Sequence, residues 1–203
     1  SMVVSSSANG SFYGTQRDAT YIGRFIQNFA QNGSGFRNDQ MADYFGTSTP
    51  DLCGDVWAMH YYGHGQNISR IIEWGTEEKK WDYVGVGYAI RAWSWLTLTN
   101  VYGEAIFREA FRPEQLVFSY DPQPDIYAEV RRVSHVALEY LSRTGDGVSQ
   151  ANLALGDAYF NNGDVNKWKK FVYAVLARSF NHLTNKGVNY QPDSVIYYSN
   201  LAM

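Results

Sequence analysis

The chain has 203 residues, of which 45% are hydrophobic and 18% charged, and a net charge of −3. That length supports one domain with a real core, the composition excludes a disordered chain, and the acidic balance argues against a dedicated nucleic-acid binder. Aromatic residues reach 16%, with 16 Tyr, 11 Phe and 6 Trp, enough either to thicken a core or to supply stacking surfaces for ligands.

The N-terminal run "SMVVSSSANGSF" is polar and small, without the basic and apolar regions of a signal peptide. Ser1-Met2 resembles a cloning remnant, so a removed targeting segment stays open, and residues 1–14 are expected to be a flexible leader to a helical domain over 15–203. Tyr21, Ile22, Phe25, Ile26 and Phe29 show helical spacing, and "QNGSG" ends that run. A loop is expected around Gly46–Gly54, then a helix from about Asp55 to Glu73. Tyr83–Gly103 is the most apolar stretch, but Arg91 near its middle would cost about 2.5–3.5 kcal/mol in a bilayer. It reads as a buried helix of a soluble protein, with Gly85, Ala89, Ala92 and Leu96 admitting a close neighbour. From Asp121, the residues Ile126, Val130, Val133, Ala137 and Leu141 step by helical intervals behind Pro122 and Pro124. The last full helix is expected from Asp164 to about Lys186, with Trp168, Val172, Val175, Ser179 and Leu183 on one side. A further helix starts in "QPDSVIYYSNLAM", where Ile196, Tyr197 and Leu201 would lack a partner, so the chain is expected to be the truncated part of a longer fold. No period-two strand stands out. The expected class is all-α, built from tetratricopeptide-like antiparallel helix pairs, although no strict 34-residue repeat is visible.

Several motifs admit both a chemical and a structural explanation. "GDAYFNNGDVNKWKKF" (Gly156–Phe171) fails the calcium-loop register from either Asp157 or Asn161. Asp157 and Asp164 could be paired acid/base carboxylates, but they adjoin a helix start where capping explains them. His60 and His64 have metal-ligand spacing without the HExxH glutamate, and they read as surface or loop histidines. Arg91 and Arg178 interrupt apolar stretches. Each could clamp an anion, but a structural pair with an acid of a neighbouring segment is the favoured reading. Cys53 is the sole cysteine, which excludes a disulfide framework and a thiolate metal site. No cofactor or metal is expected.

The aromatic cluster Tyr44, Phe45, Trp57, Tyr61 and Tyr62 can be core or a sugar platform. Apolar C–H faces of sugars stack on flat rings while nearby Asp or Asn side chains read hydroxyls. Trp57 leads this assignment because Asp55 and His60 lie close in sequence, with Tyr61, Tyr62 and Tyr44 beside it.

Three motifs stand in one order. They are "AIRAWSWLTLTNVYGE" (Ala89–Glu104), "YDPQPDIYAEV" (Tyr120–Val130) and "GDAYFNNGDVNKWKKFVYAVLARSF" (Gly156–Phe180), preceded by "YYGHGQNISRII". Together they resemble the SusD/RagB family of outer-membrane nutrient-binding lipoproteins. The resemblance implies a helical scaffold, lipid-anchored through a cysteine upstream of this chain at the outer face of the outer membrane. It implies a protein that binds glycans without cleaving them and caps a TonB-dependent SusC-like transporter. Arg91, Asp121, Asp157, Asp164, Trp168 and Arg178 fall on scaffold positions of the family pattern. The family's Tyr-Gly-Asp-x-Pro is replaced here by Tyr102-Gly103-Glu104-Ala105-Ile106, and family members are far longer. A glycan-binding, non-catalytic surface lipoprotein is therefore expected. The alternatives are a protein-binding helical scaffold with its aromatics buried and, less favoured, an all-α glycan-cleaving enzyme. Exposure of Trp57 and Tyr61 separates the first two.

Overall fold

The computed structural model describes Asn28 and residues 55–203 except Pro113. The helical run expected within Thr15–Ala30, Asn28 apart, the leader 1–14 and the loop at Gly46–Gly54 lie outside the described residues. The chain divides into two compact units, Ser1–His64 and Gly65–Met203. In the first, helix α1 (Asp55–Ala58) passes into a π-helical segment that starts at Met59 and is assigned through Gly65. The second contains α2 (Gln66–Glu77), α3 (Trp81–Tyr102), α4 (Gln123–Leu141), α5 (Gln150–Gly156), α6 (Val165–Asn181) and α7 (Pro192–Ala202). The fold is all-α. The only extended pairing among the described residues is an isolated bridge between Ala105 and Asp121.

Successive long helices run antiparallel, and α3 is the hub of the second unit. Gly75 and Gly87 bring α2 against α3, since an added Cβ would sit 3.0 Å from Val84 Cγ2 and 2.7 Å from Ile72 Cγ1 respectively. Gly85, near the start of α3, faces Leu141 at the end of α4, where a Cβ would lie 2.8 Å from Leu141 Cγ. At the opposite end, Gln123 Nε2 donates to the Thr99 carbonyl at 2.7 Å. The small-residue side of α3 thus does what its sequence suggests. The α4 stripe is equally direct, because Ile126, Val130, Val133, Ala137 and Leu141 are all buried. Each large aliphatic buried this way contributes about 1.5–3 kcal/mol.

Two carboxylates organise the connections. Asp82, in the first turn of α3, accepts from Ser149 N at 2.9 Å and Tyr83 N at 2.9 Å, tying the loop after α4 to the start of α3. Asp121 closes the loop between α3 and α4. It accepts from Phe107 N and Arg108 N at 3.0 and 2.8 Å and pairs with the Arg108 guanidinium, which also reaches Asp125 at 2.7 Å. Burial alone would raise the Asp121 pKa. The amides of Arg108 and Phe107 and the Arg108 charge outweigh it and hold the carboxyl below its usual range.

The helix expected from about Asp55 to Glu73 is interrupted by the π-helical segment and runs on to Glu77, and two further differences follow. α6 ends at Asn181, short of Lys186, because Leu183 N and Thr184 N turn back to the Phe180 and Asn181 carbonyls at 3.1 Å each. The Thr184 hydroxyl also donates to the Asn181 carbonyl, and these short-range bonds tighten the final turn. α5 was not foreseen: it is seven residues long, capped by Ser149 Oγ accepting from Asn152 N, and buries only Leu153. Such a helix is too short to show a periodic stripe. α7 packs on α6 through Tyr198, stacked on Phe180 with ring centroids 5.8 Å apart, while Ile196 and Tyr197 stay exposed.

Candidate glycan platform and a second polar cluster

The segment 55–64 of the first unit carries three of the four aromatic residues expected to stack on sugar; Tyr44 lies outside the described residues. Val56, Met59, His60 and His64 are buried, which fixes the inward side of the segment. Trp57 and Tyr61, one helical step apart, are half-buried and lie against one another at 4.6 Å with a 49° interplanar angle. Tyr62 points outward and is 83% exposed. None of these three rings is fully buried, so their packing leaves ring surface for a ligand.

The histidines are a correction. His60 and His64 were expected on the surface or in a loop, yet they are 2% and 0% exposed. Val56, His60 and His64 step by four residues, so the turn geometry keeps them on one side beside Met59. Their rings approach edge to face at 6.4 Å, and His60 also meets Tyr61 edge-on at 4.7 Å. Burial drives the His64 pKa from the ordinary 6.5 down to about 4, which keeps the ring neutral at physiological pH.

The Gly-Asp stretch is scaffold. Asp164 caps α6, its Oδ1 accepting from Asn166 N at 2.9 Å and Lys167 N at 3.3 Å. Asp157 does more than cap. Its Oδ1 accepts from Asn161 N at 3.1 Å, and its Oδ2 accepts from Gly163 N at 3.0 Å and Trp168 Nε1 at 2.7 Å. It thereby ties the turn after α5 to the buried indole of α6. Gly163, at φ +72°, is required there because an added Cβ would meet Gln150 O at 2.5 Å.

The two arginines singled out by sequence also depart from expectation. Arg91 finds a hydroxyl and not an acid: its Nη2 donates to Ser69 Oγ of α2 at 3.0 Å, and its guanidinium lies 5.6 Å from the Tyr88 ring centre. Arg178 is exposed, because the buried arc of α6, containing Trp168, Val172, Leu176, Ser179 and Phe180, faces the other way.

Arg178 instead borders a polar cluster that sequence reasoning missed. There the start of α4 meets the end of α6. Tyr127 donates its hydroxyl proton to Asn100 Oδ1 at 2.6 Å, and the same oxygen lies 3.3 Å from His182 Nδ1. Arg131 Nη2 donates to the Ser179 carbonyl at 3.2 Å, with its guanidinium 4.1 Å from the centre of the Phe180 ring. The available signal was the i,i+4 spacing of Tyr127 with Arg131 and of Arg178 with His182, which puts each pair on one helix face.

The family model of the SusD-like proteins, described as starch-binding and associating with the outer membrane, matches residues 3–184. The chain belongs to this family. No curated protein and no solved structure matches it. Among the described residues, no helix is long and apolar enough to cross a membrane.

Proposed function

We propose that this protein captures glycan at the outer face of the outer membrane, held there by a lipid anchor, and hands it without cleavage to a TonB-dependent SusC-like transporter. Membership of the starch-binding, outer-membrane-associating family carries this reading. The half-buried Trp57–Tyr61 pair and the exposed Tyr62 ring support it, because a sugar face needs accessible aromatic surface on a fixed support. Tyr44, outside the described residues, is assigned to glycan stacking from the sequence.

The test is calorimetry of the chain against the neutral glycans that it retains on an array. Trp57→Ala is expected to weaken the tightest of them at least about tenfold, close to 1.4 kcal/mol. Unchanged affinity for every retained glycan would remove the platform from this segment. Retention of no glycan, with co-purification of the transporter intact, would favour a purely protein-binding scaffold. Release of reducing sugar would instead make the protein an enzyme.

A further inference from the structure

We propose that the cluster formed by Arg131, Arg178, His182, Tyr127 and Asn100 is a second subsite, which takes the carboxylate of an acidic sugar, a hexuronate within a glycan chain. The sugar part of this proposal rests on the glycan-binding reading above; the charge rests on the arginines.

Among the described residues, no acid pairs with the arginines of the cluster. Among the described residues, the ion pairs are made by Arg108, Arg132 and Arg143, and Arg131 and Arg178 enter none. The acids nearest in sequence on α4 are already used, Asp125 by Arg108 and Glu129 by Arg132. Arg131 is half-buried, and its contacts are a hydroxyl, a carbonyl and an aromatic face, all neutral. Desolvating a guanidinium without a negative partner is unfavourable, and a bound carboxylate would supply one by a charge-assisted bond. The cost shows in its pKa, which burial pulls down.

The second cation converges on the same place. Arg178 and His182 occupy one face of the last turn of α6, and Tyr127 and Arg131 occupy one face of α4. The contact of Tyr127 with His182 joins the two faces. The Tyr127 hydroxyl, raised in pKa by burial, feels both the Arg131 and the Arg178 charge, and the Arg178 charge adds to burial in lowering His182. Arg178 is exposed and so accessible to a ligand.

The neutral groups select the class of anion. Tyr127 and Asn100 already share a proton donor and acceptor at 2.6 Å, and Asn100 is exposed. An amide and a phenol near the Arg131 guanidinium, with the Arg178 charge acting on the same phenol, suit a carboxylate carried on a hydroxylated ring. A bare inorganic anion would use the arginines and leave these groups idle.

The experiment titrates the chain with an oligogalacturonide and with the same oligosaccharide methyl-esterified, each at low and high salt. Readouts are calorimetry and the His182 ring proton shifts. The acid form is expected to bind at least about tenfold tighter than the ester, to weaken with salt, and to move the His182 resonances. Arg178→Gln, at an exposed position, should abolish that preference while leaving neutral-glycan binding and the melting temperature unchanged. Arg131→Lys should retain the charge and lose most of the preference, because an ammonium cannot reproduce the fork. Equal binding of acid and ester, or an acid preference untouched by Arg178→Gln, would overturn the proposal and leave the neutral platform standing. Sulfate competing as well as free galacturonate would overturn the sugar-acid assignment. Binding of no glycan of either kind would overturn both readings together.

Discussion

Asp157→Ala is expected to destabilise the second unit by about 4 kcal/mol, the range seen when a buried hydrogen-bond hub is removed. The carboxylate is 8% exposed and accepts from three donors, Asn161 N, Gly163 N and Trp168 Nε1. Alanine leaves all three without an acceptor, and each unsatisfied buried donor costs about 1–3 kcal/mol. Relaxation of the turn to admit water recovers part of that sum. The turn has little freedom to relax, because Asn162 already sits at φ 52° and Gly163 is wedged against Gln150 and Ala154. Thermal unfolding should shift down by about 10 °C for a unit of this size. Asp157→Asn sharpens the test. Its remaining oxygen can face Gly163 N and Trp168 Nε1, while its amide group opposes Asn161 N–H. It should therefore lose less than half as much. Equal losses for the two variants would mean that charge, and not acceptor geometry, holds the turn.

The same residue shows where sequence reasoning stops. Helical spacing made α4 legible to the residue, because a two-sided helix must repeat its apolar positions every 3.6 residues. The Asp164 cap was legible for a similar reason, since capping is decided within four residues. The part played by Asp157 was not, because one of its partners is an indole eleven residues away, placed by the packing of α6. His60 and His64 illustrate a different failure. "HYYGHG" falls within the expected Asp55–Glu73 helix, but its histidines were read as surface or loop residues, and the π-helical segment formed there turns both rings to its inward side. Arg178 was read as buried because it stands in an apolar run. The helical phase of α6 turns it out of the core, one turn before His182 on the same segment, with its charge acting on His182 and on Tyr127 of α4. The i,i+4 spacing on each helix was visible, but the meeting of Tyr127 with His182 between the two helices leaves no local signal.

The two candidate sites therefore differ in how they are supported. The proposed aromatic platform spans α1 and the π-helical segment of the first unit, beside the buried Val56, Met59, His60 and His64. Its geometry depends on that inward side remaining packed. The polar cluster belongs to the second unit, on the long helices α4 and α6, where loop rearrangement has little leverage. Damage to one is expected to leave the other measurable, which makes variants at Trp57 and Arg178 independent probes.

Acidification should loosen the platform first. The His64 pKa is about 4 in the folded chain and 6.5 when unfolded. A depressed histidine pKa means that the unfolded chain binds the proton more readily, so stability rises with pH between the two values. The contribution is complete above about pH 6.5, falls as pH drops toward 4, and changes little below that. The 2.5-unit difference corresponds to about 3.5 kcal/mol at one pKa unit per 1.4 kcal/mol. Asp121, whose pKa is held below the ordinary carboxylate value, loses its contribution at lower pH still, while His182, also lowered by burial and the Arg178 charge, adds a loss in the same window that His64→Leu retains. Urea unfolding followed by tryptophan fluorescence at pH 7 and pH 4.5 measures the difference. Wild type should lose most of that predicted difference, about 3.5 kcal/mol, across the interval. His64→Leu, neutral at every pH, should lose much less, whatever its own stability at pH 7. Neutral-glycan affinity should fall over the same interval in wild type, because protonating His64 opens the inward side on which Trp57 and Tyr61 rest. A pH response identical in the two proteins would show that another group drives it, and would separate the platform from this histidine.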